Sequence, residues 1–359
     1  MNRDMLSSGQ GLALIMANVF AGMAVFFHAG CDLGHNLWQI LLIAVPFVLL
    51  MLYLLFLLLE HLQGQSVFAC LEGEPARFFS LRMAWWLLLL WVYGGLFLAA
   101  AFDMWQYLDS QTGLAWLKLL LLFVFLTAAC YWGLQAIARA ATFILLLFLL
   151  FFVLDSLLLL GDMDMTRILP LAMPAAGRWY SAVGKTVSGV VLLPLCLSYI
   201  PKLQNPDKSF SVLRKGILLC GAYYLAVTVR NILLFGDLLA FTEYPLLSAL
   251  RLIVWGGVEY LVLPAALLLL SVILAGIALL WQIAVDCMRR LRRQKEAKGK
   301  ERFQLCALWA LLQTGAVLAI YALPEKFMEG LAVYGTATAY AGQLFCLIFL
   351  LYQVNKKKL

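Results

Sequence analysis

Long runs of apolar residues recur along this chain, and they leave few structures open to it. Residues 41–59 and 143–154 present apolar side chains in every direction. A membrane-spanning β-strand alternates apolar and polar side chains, whereas a transmembrane helix needs about 20 apolar residues in succession. The runs therefore exclude a β-barrel and predict an all-α polytopic membrane protein.

Composition excludes the soluble classes of protein. Of the 359 residues, 65% are hydrophobic and only 13% are charged, with a mean hydropathy of +0.94. A soluble domain has about 45–50% apolar and about 25% charged residues. A soluble enzyme, a secreted disulfide scaffold and a receptor with a large ectodomain are all excluded on this ground.

Hydropathy predicts about ten transmembrane helices in a single transmembrane domain that covers residues 1–359. The weakest spans are the first and the sixth, which suggests a five-plus-five inverted repeat: a first repeat over about 7–160, a linker over 161–180 and a second repeat over about 181–354. The predicted spans are 10–29, 37–59, 81–107, 116–134, 138–160, 183–200, 216–235, 258–284, 303–323 and 331–354.

The basic residues set the expected orientation. With the N-terminus in the cytoplasm, nineteen lysines and arginines fall on the inner side and six on the outer side, which is a strong positive-inside signal. Both termini are then cytoplasmic. The net charge of +7 comes from juxtamembrane loops, so we expect the basic loop 289–302 to contact anionic lipids and expect no nucleic-acid partner.

Two irregular stretches indicate where a ligand would bind. Transporters with inverted repeats interrupt helices near the membrane midplane, and the freed backbone groups contact the substrate. Gly22 lies among small residues within the first span, and Pro194 follows Gly189 in the sixth. We expect discontinuous helices 1 and 6 with a ligand between them, lined by Phe20, Ala21, Gly22, Met23, Ser188, Gly189 and Leu192.

The third span adds two aromatic candidates. Gly94 and Gly95 would let another helix approach closely, and the neighbouring Tyr93 and Phe97 are candidate pocket residues. Packing of these two rings in the core is the alternative.

Few charged residues lie within the spans, and those that do lie toward the outer side. Arg230 is available to neutralise Asp103 or Asp155, or these charges form a polar rim for a zwitterionic ligand. The eight cysteines form no Cys-x-x-Cys pair and the three histidines have no ligand spacing. We therefore expect no metal, no cofactor and no catalytic residues, and interpret the cysteines as buried small side chains.

Five motifs in order resemble those of the spore germination permease family, the B subunit of nutrient germinant receptors within the amino acid–polyamine–organocation superfamily. They are Leu-Ser-Ser-Gly-Gln at 6–10, Ile-Ala-Arg at 137–139, Ile-Leu-Pro at 168–170, Pro-Lys-Leu-Gln-Asn-Pro at 201–206 and the segment 244–253, which is similar to Tyr-Pro-x-x-x-x-x-Arg-x-Ile.

The resemblance implies a membrane-embedded subunit that senses nutrients such as amino acids. Its expected partners are a germinant-receptor A subunit and a lipoprotein C subunit, and its expected location is the inner membrane of a spore-forming bacterium. Many members carry a carboxylate in the middle of the sixth span, where this chain has Val191 and Leu192. This departure favours a more apolar ligand.

Three functions compete at this point. The first is a ligand-sensing receptor subunit with a transporter-like fold, and the second is a secondary amino acid transporter. The third, a membrane enzyme acting on lipids, is the least supported because the sequence shows no carboxylate cluster or phosphate loop at a membrane face. The absence of acids at the midplane argues against a proton-coupled carrier and favours the receptor. A sodium-coupled or facilitated carrier stays open, since backbone carbonyls can form its ion site.

Overall fold

The structure is a computed structural model, and it describes residues 5–26, 34, 36–62, 76–108, 115–168, 183, 187, 190–242, 244–253, 261–292, 300–323 and 336–358. The α-helices of these residues are α1 (Ser8–Phe26), α2 (Leu37–Leu62), α3 (Ala76–Leu108), α4 (Ala115–Trp132), α5 (Leu134–Leu158), α6 (Ser209–Phe235), α7 (Pro245–Leu250), α8 (Val262–Leu291), α9 (Lys300–Ala322) and α10 (Thr336–Lys358).

These helices confirm the expected fold class, an all-α polytopic membrane protein. Apart from the short α7, each helix lies on one of the predicted spans. In the described part of the chain, six helices are long and apolar enough to cross a membrane, and two apolar helices are shorter. The ten-helix inverted repeat and its boundaries stay a prediction.

Helix α8 lies at the centre of the bundle. It packs against α1, α3, α4, α5 and α9, and its side chains are buried along most of its length. It approaches α1 closely: a Cβ added at Gly276 would lie 2.4 Å from the Ala21 Cβ and 2.8 Å from the Ala17 carbonyl oxygen. Small residues on both helices therefore bring the two backbones together.

This packing corrects one expectation. Helix α1 runs without interruption from Ser8 to Phe26, so the predicted break at Gly22 is wrong. The small residues of this stretch allow close helix packing, because Ala21 fits against Gly276. The alanines on either side of Gly22 also favour a continuous helix.

Helix α5 shows how the bundle meets the lipid. Large apolar side chains recur on it every three or four residues and are more than half exposed: Phe143, Leu146, Leu150, Val153 and Leu157. This spacing places them on one face of a helix. An apolar stripe that no protein covers is a lipid-facing surface in a bundle of this composition.

Helices α3 and α9 are joined by close contact and hydrogen bonds. A Cβ at Gly94 would lie 2.7 Å from Gln313 Nε2, and one at Gly95 would lie 2.8 Å from the Ala316 Cβ. Gln313 donates to the Leu90 carbonyl at 3.2 Å. The expectation that the two glycines admit another helix is confirmed.

The bundle has two chemically different ends. We call the end at which α1, α5 and α6 begin and α8 ends the basal end, and the opposite end the distal end. The basal end carries Lys202, Arg289 and Arg302, whereas the buried pair of Arg230 and Asp155 lies toward the distal end. By the positive-inside argument the basal end faces the cytoplasm, and this orientation stays a prediction.

Candidate functional site

The sixth predicted span is interrupted at a proline. Val190 and Val191 are α-helical, and after Leu192 the backbone tightens into 3-10 helices over Leu193–Ser198 and Ile200–Lys202. Pro194 cannot donate a backbone hydrogen bond, and its ring clashes with the preceding turn. The structure thus places the interruption at Leu192–Pro194, and we call residues 190–203 the broken segment.

Asn18 of α1 contacts the broken segment at this interruption. Its Nδ2 donates to the Leu192 carbonyl oxygen at 3.3 Å, and the residue is only 2% exposed. Its Oδ1 is also buried and has no hydrogen-bond partner in the described part of the chain. An unpaired buried acceptor is costly in an apolar interior. The amide is therefore available to a ligand donor at the junction of α1 and the broken segment.

An aromatic cluster surrounds Phe20, which lies two residues beyond Asn18 on α1. Its ring centre lies 5.9 Å from that of Phe148, 4.8 Å from Tyr223 and 5.6 Å from Tyr224. The Tyr224 hydroxyl also donates to the Phe20 carbonyl oxygen at 3.4 Å. Tilted and edge-on ring contacts of this kind stabilise a packed apolar wall, here shared by α1, α5 and α6.

A buried ion pair lies beside this cluster. Arg230 Nη1 is 2.9 Å from Asp155 Oδ2, and the two side chains are 3% and 2% exposed. The Arg230 guanidinium also lies 4.9 Å from the centre of the Phe152 ring, which in turn is 4.8 Å from the Tyr223 ring. The structure therefore pairs Arg230 with Asp155. Asp103 instead accepts a hydrogen bond from the Tyr321 hydroxyl.

The first motif of the family resemblance is a helix cap. The Ser7 backbone N–H donates to Gln10 Oε1 at 2.9 Å, and the Gln10 backbone N–H donates to the Ser7 hydroxyl at 3.2 Å. This reciprocal pair is a capping box, which satisfies backbone donors that a helix start would otherwise leave unpaired. Serine and glutamine three residues apart thus set where α1 begins.

Two of the resemblance motifs bind each other. The Leu6 N–H donates to the Lys202 carbonyl at 2.8 Å, and the Gln204 N–H donates to the Leu6 carbonyl at 2.9 Å. These bonds form an isolated parallel bridge between Leu6 and Leu203. The start of α1 is thereby fastened to the end of the broken segment at the basal end.

Charged side chains extend this connection to α8 and α9. Lys202 Nζ lies 3.6 Å from Asp286 Oδ2, and Gln282 donates to the same carboxylate at 3.4 Å. Arg302 Nη2 then donates to Gln282 Oε1 at 2.9 Å. A network of four segments, the start of α1, the broken segment, α8 and α9, therefore closes the basal end beneath the interruption.

The structure brings part of the predicted site together. Phe20, Ala21 and Gly22 are buried on α1, and Leu192 is bonded through its carbonyl to the same helix. Tyr93 and Phe97 are buried on α3 with ring centres 6.4 Å apart, and Ala21 packs on α8. The Met23 backbone belongs to α1, but its side chain, Ser188 and Gly189 lie outside the described residues.

Sequence reasoning missed Asn18, Tyr223 and Tyr224. Asn18 carried a usable signal, since an amide in the middle of an apolar span is typical of a functional position. The two tyrosines carried none, because an aromatic pair in an apolar helix usually packs in a core. Of the cysteines, five are buried free thiols, as the sequence suggests: Cys130, Cys196, Cys220, Cys287 and Cys306.

The fold and this site define a polytopic α-helical membrane protein in which an intact first helix packs against a proline-broken sixth span. A family model described as spore germination protein matches residues 5–325, most of the chain. The chain therefore belongs to the spore germination permease family. The match includes all five motifs and ends before α10. A comparison with curated proteins gave no match.

Proposed function

We propose that this protein is the membrane-embedded, nutrient-sensing subunit of a spore germinant receptor. The family supports a role in germination. The observation that carries the sensing role is Asn18, which binds the Leu192 carbonyl at the proline interruption and keeps its own buried oxygen unpaired. A ligand donor at this point would contact α1 and the broken segment together.

The proposed ligand is an amino acid with an apolar side chain. The wall nearest to Asn18 along α1 is the aromatic cluster around Phe20, which favours an apolar group over a charged one. Arg230 and Asp155 neutralise each other, so a charged side chain would have to break that pair. Leu192, where many relatives carry an acid, adds to the apolar character.

The proposed output is a conformational change that other subunits detect. A ligand shifts an equilibrium only by its differential affinity for two states. A ligand at Asn18 would contact the broken segment. Contacts of Leu6, Lys202 and Asp286 at the basal end connect this segment to α1 and α8. The proposed partners are the A subunit and the lipoprotein C subunit. The proposed setting is the inner spore membrane, with both termini cytoplasmic and the basic loop 289–302 on anionic lipid.

Binding of radiolabelled leucine, alanine and glutamate to the purified full chain in neutral detergent tests the site. We expect Asn18→Leu to weaken binding of the apolar amino acids by about tenfold or more, because a hydrogen bond to a charged group contributes about 1.5–3 kcal/mol. Gln313→Leu is the matched control, since Gln313 is also a buried amide bonded to a neighbouring helix carbonyl. Equal losses in both variants would contradict the proposed site.

Uptake into liposomes separates a sensor from an amino acid transporter. We expect the reconstituted chain to bind the ligand without accumulating it inside the vesicles. Concentrative uptake by the chain alone would favour the transporter, and the binding data on Asn18→Leu would still stand.

A further inference from the structure

A cleft of about 530 Å³ opens at the basal end, between the end of α2 and the chain that follows the broken segment. This volume lies within the range of about 300–1,000 Å³ that is typical of small-ligand sites. Its surface is about equally polar and apolar, although seven of its ten lining residues have apolar side chains. The lining residues are Phe56, Leu59, Glu60, Leu62, Ile200, Pro201, Pro206, Asp207, Ser209 and Phe210.

The charge of the cleft is opposite to that of its surroundings. Glu60 and Asp207 are exposed in it, and neither forms an ion pair within the described residues, although Lys208 is adjacent in the chain. The nearby Asp286, by contrast, lies within 4 Å of both Lys202 and Arg289. The basal end thus leaves two carboxylates uncompensated at this one concave place.

A polar side chain on the wall also offers hydrogen-bonding groups to a ligand. Ser209 lines the cleft and is only 6% exposed. Its hydroxyl has no hydrogen-bond partner among the residues that the structure describes. An unpaired hydroxyl on the wall of a cleft offers one donor and two acceptor positions to a ligand.

Two aromatic rings complete the cleft. The ring centres of Phe56 and Phe210 lie 4.5 Å apart, at an interplanar angle of 56°. Aromatic faces attract cations and also cover the methylene stems of lysine and arginine. Carboxylates, a hydroxyl acceptor and aromatic faces together match an ammonium or guanidinium group on an apolar stem.

We infer that this cleft is a docking site for a basic segment of a partner protein, which places a lysine or arginine head group on Glu60 and Asp207. Seven of the ten lining residues have apolar side chains, which favours a peptide that carries apolar residues beside its basic one over a free polyamine. The same loop holds Lys202 and Leu203, which bind α8 and the start of α1. A partner in the cleft therefore contacts the segment that would move in signalling.

Fluorescence polarisation with the full chain in neutral detergent tests this inference. The probe is a short fluorescein-labelled peptide of alternating leucine and lysine, and protein-free micelles give the background. We expect the double variant Glu60→Gln/Asp207→Asn to weaken binding by about tenfold or more, and Ser209→Ala to weaken it less. Glu301→Gln, which removes another exposed basal acid outside the cleft, is the control and should bind as the unmodified chain does.

Three outcomes would overturn the inference. The first is unchanged binding by the double variant, with its melting temperature also unchanged. The second is equal binding of a peptide with glutamate in place of lysine. The third is that spermidine or a serine–lysine peptide binds as tightly as the leucine–lysine peptide. Charge alone would then account for binding, and the apolar residues of the peptide would contribute nothing. None of these measurements depends on nutrient binding at Asn18.

Discussion

At the scale of single residues, burial decides what a charge does in this protein. Arg230 and Asp155 lie almost entirely out of contact with solvent or lipid and form their ion pair beside Phe152. Arg167 and Asp164 form a looser pair at 3.7 Å on an exposed turn at the distal end. The Thr166 hydroxyl and backbone N–H hold the pKa of the Asp164 carboxyl below its usual range.

Removing one partner of the buried pair should destabilise the protein strongly. We expect Arg230→Met to lower the free energy of unfolding by about 3–5 kcal/mol, because Asp155 is left as an uncompensated buried charge. The double variant Arg230→Met/Asp155→Leu should regain most of this loss. Denaturant titration in mixed micelles measures both.

The exposed pair supplies the control for that experiment. Asp164→Asn should leave the stability close to that of the unmodified chain, since solvent screens exposed ion pairs. A double variant as unstable as Arg230→Met would contradict the argument and would show that the pair also organises the fold around it.

At the scale of elements, close backbone approach decides which small residues matter. Gly276 of α8 meets Ala17 and Ala21 of α1, whereas a Cβ at Gly221 of α6 would meet nothing within 4 Å. The two glycines look alike in the sequence, since both lie inside apolar helices. Only the neighbouring helix distinguishes them.

Alanine substitutions at these two glycines should have opposite effects. We expect Gly276→Ala to destabilise the protein by about 1–3 kcal/mol through overpacking against α1. Gly221→Ala should be neutral or stabilise by about 0.5–1 kcal/mol, because alanine favours a helix over glycine. Thermal unfolding of the two variants side by side measures the difference, and equal effects would show that α1 and α8 do not approach this closely.

At the scale of the whole molecule, the two ends of the bundle differ in charge and in construction. The basal end is fastened by the Leu6–Leu203 bridge and by the pairs that Asp286 forms. The distal end carries the 3-10 turns after α5. This asymmetry agrees with the distribution of lysines and arginines along the sequence.

Cysteine labelling tests the resulting topology. We expect Asp164→Cys to react with a membrane-impermeant maleimide in intact cells, because Asp164 is exposed at the distal end. Arg292→Cys, which is exposed at the basal end, should react only after the cells are made permeable. The unmodified chain gives the background from native cysteines, and the reverse pattern would invert the orientation.

Properties that depend on local composition can be predicted from the amino-acid sequence of this protein. Apolar runs defined the membrane class and the helical spans, and Pro194 marked the interruption of the sixth span, because a missing backbone donor acts within one helical turn. The Ser7 and Gln10 motif likewise encodes the start of α1 within four residues. Contacts between distant groups depend on how the helices pack: Asp155 pairs with Arg230 across 75 positions, and Asn18 binds the Leu192 carbonyl across 174. Helix packing also explains why Gly22 does not break α1. Whether a small residue interrupts a helix or lets a neighbouring helix approach depends on what packs against that helix. No short stretch of sequence contains that information.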